Sequence, residues 1–298
     1  MTWNNFDDAS ALERDILRRA LPAIPSSGQS YSRVTYDPAA TTHVAIGVQD
    51  SIGVTPEGCV EQLALRPLLT GAAWKVLDLL LEEALAQSGL TPDQSRGWSV
   101  QRKQQEAHKQ TGKPAAIEPT AWSALTATYA ATVELRHSLV HRRAHTDATG
   151  ALVGVDAAGQ SLRPLTTAEQ TALARVVLTA ADTVLATAPD SRMEARLLRH
   201  LADLTAVHGA AIAAAPIPDV IPEVTAILDP DPADSGRYPL DLPAIRASLP
   251  FPGTTHADII VAPRDRPGQE LHGHLEKAPD SLVTIDLDDP PKWLAKRM

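Results

Sequence analysis

Apolar residues in the first two hundred positions recur at intervals of three and four. Leu65, Leu68, Leu69, Ala72, Val76, Leu80 and Ala84 would share one face of a helix of several turns, with Gly89 as its stop. Behind Pro119 the same spacing joins Trp122, Leu125, Tyr129, Val133, Arg136 and Val140, which predicts a helix of about twenty residues. One member of that stripe is an arginine. Leu12 to Leu21 reads as a short helix, and Thr91-Pro92-Asp93-Gln94 has the capping-box spacing and first-turn proline of another. The pairs Thr167/Gln170 and Ser191/Glu194 predict caps for helices over Ala168 to Leu185 and Arg192 to His208. The polar stretch Gln101 to Lys113 is expected to be exposed.

Elsewhere the pattern shortens. His43 to Val48 reads as extended, and Ala151 to Val155 and Ser161 to Leu165 flank the turn-rich Asp156-Ala157-Ala158-Gly159, which suggests a small β-hairpin. Asp258 to Ala262, Glu270 to Lys277 and Leu282 to Leu287 predict short strands of a small antiparallel sheet. Fourteen of the 24 prolines lie between Pro216 and Pro291, where no long helix survives, so a boundary is expected within Ala210 to Pro218. Three regions follow: an extension of unassigned role over 1–60, a helical domain over 61–210, and an acidic, Pro-rich region over 211–298. The expected class is mainly α: a helical bundle with a β-hairpin insertion, followed by a small α+β or antiparallel β region.

Composition changes this picture in three ways. With 298 residues, 44% hydrophobic and 21% charged, the chain is an ordinary folded protein and not a disordered one. Acidic residues Asp7, Asp8, Glu13 and Asp15 interrupt the amino terminus, and Arg175 and Asp182 interrupt the most apolar later stretch, so neither a secretory signal nor a membrane span is expected. The single Cys59 excludes an intramolecular disulfide and a Cys-rich zinc site, and in a Pro-Gly turn without an adjacent histidine it reads as an inert thiol. The cytoplasm is the expected compartment. A net charge of −9 argues against non-specific coating of nucleic acid, but it is uneven: residues 217–298 hold fourteen acidic against eight basic side chains, leaving −3 for the rest.

Phosphate-loop, dinucleotide-binding, nucleophile-elbow and His-Glu-x-x-His motifs are absent. The chemistry that remains is concentrated in Glu134-Leu135-Arg136-His137-Ser138-Leu139-Val140-His141-Arg142-Arg143-Ala144-His145, where three arginines and three histidines fall within ten residues. No acid stands between Glu134 and Asp147. Arg136 occupies an apolar register, where a cation is costly unless paired or functional. His137 and His141 share a helix face, and imidazoles titrate near neutral pH. A base for a ribose 2′-hydroxyl and a cation for a crowded phosphorane are what metal-free RNA cleavage needs.

Late in a long helix, Arg136-His137-Ser138-Leu139-Val140-His141 resembles the Arg-polar-x-x-x-His signature of the HEPN superfamily, over about Glu61 to His208. The resemblance implies a helical bundle that dimerises and a metal-independent endoribonuclease of the toxin or antiphage type, with RNA as substrate and an antitoxin or sensor protein as a possible partner. It implies Arg136 and His141 as the catalytic pair, with His137 at the position where the family prefers a polar side chain, at a composite cleft between two copies. No cofactor is implied. Arg143 stands where a subset of the family carries a modifiable tyrosine, which disfavours that regulation; Arg142 and Arg143, with His145, would suit phosphate contacts.

Other readings stay open beside it. The basic run could be a solvated helix end favoured by the macrodipole, and His137 with His141 could form a metal pair in a metal-dependent hydrolase. A silent HEPN-like binding or scaffold module would share the fold without the chemistry, the acidic tail then serving to dock a partner or restrain the basic segment. His272 and His274, with His256 upstream, read as a polar strand face before they read as a metal site, and Trp122 and Tyr129 as core before base-stacking platforms.

Overall fold

The computed structural model describes residues 3–21, 31–39, 44–48, 56–92, 98–109, 112–188, 190–213, 217–218, 221–234, 236–249 and 256–296. Two units emerge: Met1–Pro25 with Ile52–Ala215, and Ser26–Ser51 with Pro216–Met298. The division at Ala215/Pro216 falls within the expected proline-rich boundary. The first sixty residues, expected as a region of their own, are instead shared between the two units.

The first unit is helical. It comprises α1 (Asn4–Ala20), α2 (Pro56–Gln87), α3 (Val100–His108), α4 (Pro119–His141), α5 (Thr167–Leu185), α6 (Ser191–Ala202) and α7 (Thr205–His208). Central to it is α2, packed against α1, α4 and α5. Its apolar positions are therefore buried on several sides from Ala73 onward, Trp74, Leu77, Leu81 and Leu85 as fully as Val76 and Leu80. The expected single stripe was too narrow, and at its early end Leu68 is 67% exposed. Cys59 lies in the first turn of this helix rather than in a turn.

Local chemistry sets the helix limits, often one residue from expectation. Glu118 caps α4 by accepting from the amides of Thr120 (2.7 Å) and Ala121 (3.1 Å). The capping box of α5 is Thr166 with Glu169, not Thr167 with Gln170. Gln170 is buried instead, its Nε2 donating to the carbonyls of Gly150 and Leu165. Asp190, not Ser191, caps α6, and that helix ends at Ala202 before the separate turn α7. Thr91 and Pro92 are not helical, and Asp93 and Gln94 lie outside the described residues, as does His43.

The stretch expected to be exposed holds the most buried cation among the described residues. Lys103 on α3 is 2% exposed, and its ammonium meets Asp78 at 2.5 Å and Glu82 at 2.7 Å, both on α2. A polar sequence pattern hides such a residue, because burial here follows from two carboxylates one turn apart on a neighbouring helix.

The expected hairpin forms, and its first strand gains a further partner. Strands β3 (His145–Thr146) and β4 (Leu152–Val153) are antiparallel, and single bridges join Leu152 to Leu165 and Val155 to Ser161. Asp156 Oδ1 closes the intervening turn by accepting from the amides of Ala158 and Gln160, both 2.8 Å away.

The second unit is built on a mixed, six-stranded sheet rather than the expected antiparallel one. Its strands are β1 (Tyr31–Tyr36), β2 (Val44–Val48), β5 (Glu223–Leu228), β7 (Asp258–Pro263), β8 (Leu271–His274) and β10 (Leu294–Lys296), in the order β10-β8-β7-β5-β1-β2. The pairs β1/β5 and β5/β7 are parallel, because β1, contributed by the amino-terminal segment, lies beside β5. Strand alternation buries Val224, Ala226 and Leu228 on one face, with Ile259 and Val261 beside them. A two-stranded ribbon, β6 (Arg237–Asp241) with β9 (Leu282–Asp286), and the short helix α8 (Leu242–Ala247) complete that core through Tyr238, Leu240, Ile245 and Ile285. Among the described residues no helix is long and apolar enough to cross a membrane.

Replacing Lys103 by Met leaves Asp78 and Glu82 facing each other without their shared cation. The expected loss is about 3 kcal/mol of unfolding free energy. Urea denaturation of the full chain checks it, and a loss below about 1 kcal/mol would show that the carboxylates regain water.

Candidate functional site

The carboxy-terminal half of α4 is anchored on its inner side by aromatic packing. Trp74 donates its indole N–H to Thr132 at 3.0 Å and stacks on Tyr129 with ring centroids 4.7 Å apart. Tyr129 is fully buried and donates to Asp78 at 2.7 Å. Burial, and then the Asp78 charge, push its phenol well above the ordinary range, so it remains a donor. Trp122 and Tyr129 are thus core residues.

Arg136 lies half-buried with its guanidinium carbon 5.1 Å from the Trp74 ring centroid. This cation–π contact accounts for an arginine on an apolar stripe, and among the described residues no carboxylate pairs with it. The hollow beside it, lined by Gly71, Leu135, Leu139 and Leu173, measures about 10 Å³, room for about one water and no larger group.

On the outer side the imidazoles of His137 and His141 stand 6.3 Å apart, His141 exposed. The arrangement agrees with their expected common face. Arg136 and His141, five positions apart, are separated by about 140° of rotation and about 7.5 Å of rise. They therefore occupy different faces of one helix, Arg136 toward Trp74 and His141 toward solvent. Val140, at the end of the expected apolar stripe, is 54% exposed.

Glu134 is the acid the sequence reading passed over. Its carboxylate accepts from Arg142 Nη1 at 2.9 Å and lies 3.5 Å from His137 Nδ1. The Arg142 hydrogen bond, reinforced by the neighbouring positive charges, holds the Glu134 carboxyl below its usual range. Arg142 is thereby engaged, whereas Arg143 and His145 are exposed, and the Asp147 carboxylate lies near enough to His145 to interact with it electrostatically. Among the described residues no three His, Cys, Asp or Glu side chains group as a metal's ligands would.

Beyond His141 the chain is turned back by a buried hydroxyl. Ser138 Oγ donates to the Arg143 carbonyl at 3.0 Å and accepts from the Val155 amide at 2.9 Å. Gly154 permits this, since a Cβ there would stand 2.7 Å from Ser138 Oγ and 2.9 Å from Leu135 Cδ1. A glycine between two valines in a strand pattern was the available clue to such a close approach.

Gly154→Ala should push the hairpin from α4 and destabilise the helical unit by roughly 1–3 kcal/mol. Denaturant unfolding and amide exchange at Val155 check it; unaltered protection of that amide would show that Ser138 and Leu135 make room without loss. Comparison with protein-family models, with curated proteins and with solved structures finds no match for this chain.

Proposed function

We propose that the helical unit is a HEPN-like, metal-independent endoribonuclease, acting in the cytoplasm as a homodimer in which two α4 ends line one RNA cleft. The observation that carries the reading is the outer face of α4, where the imidazoles of His137 and His141 stand 6.3 Å apart, with Glu134 within reach of His137 and the exposed Arg143 and His145 following in the chain. His141 takes the proton from a ribose 2′-hydroxyl, the 2′-oxygen attacks the adjacent phosphorus, and the 5′-oxygen leaves as a protonated imidazole supplies its hydrogen. Arg136 meets the charge of the phosphorane, and His137 orients or assists. Arg143 and His145 hold flanking phosphate; Arg142 joins them by exchanging Glu134 for phosphate. An antitoxin or sensor protein is the proposed partner class.

One observation favours a second reading, a silent module of the same fold: the Arg136 guanidinium rests on Trp74 instead of standing open beside His141.

The test is cleavage of a labelled single-stranded RNA by the purified full chain. The ribonuclease gives products ending in 2′,3′-cyclic phosphate in the presence of a chelator. Arg136→Ala and His141→Ala should each lower the rate by about 100-fold or more while folding and dimerisation persist. Unchanged cleavage by either variant would overturn the assignment. RNA binding without cleavage by the unaltered chain would leave the silent module, and loss of cleavage on chelation would leave a metal-dependent hydrolase.

A further inference from the structure

Two imidazoles on one helix face divide the work of acid and base only if their surroundings make them unequal. In water both rings titrate near neutral pH, and neither is preferred for either role. On α4 the carboxylate of Glu134 supplies the difference. Glu134 stands three residues before His137, its Oε1 3.5 Å from His137 Nδ1, an ion pair that exists only while that ring is protonated. The other oxygen, Oε2, accepts from Arg142 Nη1 at 2.9 Å. That hydrogen bond, followed by the charges of Arg142 and His137, keeps the carboxyl ionised below its usual range.

His141 has a different setting. Its ring lies 6.3 Å from that of His137, exposed in the last turn of α4. Among the described residues no carboxylate is paired with it, and no charged side chain of another element stands within ion-pair distance of either ring. Arg136, between them in sequence and the only other cation in the second half of α4, is turned to Trp74. The groups that set the two charges are therefore Glu134, Arg142 and the rings themselves. A negative charge at this distance favours the protonated form of one ring over the other. Such a pair, with environments that differ by one carboxylate, is how acid and base roles are assigned to like groups.

We propose that Glu134 is a positioning residue that makes His137 the general acid of the RNA cleavage and leaves His141 as its base; the inference rests on the ribonuclease reading. Nδ1–H of His137 is directed to Glu134, so Nε2–H is the proton available to substrate. His141 takes the 2′-hydroxyl proton as the 2′-oxygen bonds to phosphorus. The bond from phosphorus to the 5′-oxygen breaks, and His137 Nε2 gives that oxygen its proton. The products are a 2′,3′-cyclic phosphate and a 5′-hydroxyl, with His141 protonated and His137 neutral until exchange with water restores both.

The experiment follows kcat for a labelled single-stranded RNA, cleaved by the full chain, from about pH 5 to about pH 9. Glu134→Gln keeps the size of the side chain and removes its charge. Its alkaline limb should move to lower pH by at least about 0.3 units while the acid limb stays in place. Loss of a merely structural role would scale the whole profile down and leave both limbs unmoved, and the release of Arg142 is read in KM. A second substrate identifies the acid: the same strand with sulfur replacing the 5′-oxygen at the cleaved bond, whose thiolate departs without a proton. His137→Ala should lose about 100-fold or more on the ordinary strand and recover at least about tenfold of that on the sulfur strand, whereas His141→Ala recovers nothing. An unmoved alkaline limb in Glu134→Gln would overturn the inference, as would recovery by His141→Ala or its absence in His137→Ala. Each of those leaves the ribonuclease reading standing. An unaltered chain that leaves RNA intact removes that reading and this inference with it.

Discussion

Asp78 is the acceptor on which the proposed site depends. A carboxylate 20% exposed is costly to hold unless donors replace its water, and it has two: the Lys103 ammonium from α3 and the Tyr129 phenol from α4. Those two bonds tie three helices together at one point. Tyr129, fixed by its hydroxyl, offers its ring to Trp74, and Trp74, fixed by Thr132, offers its other contacts to Arg136. The cation proposed to meet RNA is thus positioned by a line of contacts that begins in a buried ion pair. By comparison, the Glu134–Arg142 pair at the surface adds little stability, and its effect is on which charges face outward.

The end of α4 owes its exposure to a different contact. Ser138 uses both its donor and its acceptor to hold the returning chain, and the missing Cβ of Gly154 lets the hairpin come close enough to receive those bonds. Arg143 and His145 are therefore carried on a turn whose path is set from inside the helix. The helix terminus itself favours positive charge, and His141 lies in the last turn. The hollow beside Arg136 on the inner side, about 10 Å³, is too small for a nucleotide, so the proposed substrate would approach α4 from its exposed face.

Periodicity was enough to read α4 in the sequence, capping residues placed α5 to within a residue, and the strands Asp258–Pro263 and Leu282–Asp286 stood out between turn residues. It failed where neighbours cover an element from several directions, as for α2, which is buried on several sides from Ala73 onward. It failed also where pairing joins segments far apart: nothing local in Tyr31–Tyr36 announces that it lies parallel to Glu223–Leu228. The site was partly legible. Histidines four apart must share a helix face, and they do, whereas the Trp74 partner of Arg136 and the burial of Lys103 depend on tertiary contacts. Proline density marked the boundary between the units, yet it could not show that the amino-terminal segment serves both.

The contact between Arg136 and Trp74 bears on whether that arginine can act. A cation over an indole gains roughly 0.5–2 kcal/mol, depending on how dry the contact is. Hydrogen bonds from a guanidinium to a phosphate gain about 1.5–3 kcal/mol each and come in parallel pairs. Under the proposed function, an RNA phosphate at α4 would therefore outcompete the ring, which would hold Arg136 without trapping it. A carboxylate in Trp74's place would reverse this ordering, because moving the guanidinium away would leave an acid half-desolvated. The aromatic partner keeps the charge of Arg136 unneutralised by its own fold, and only a guanidinium in that state can serve a transition state that gains negative charge.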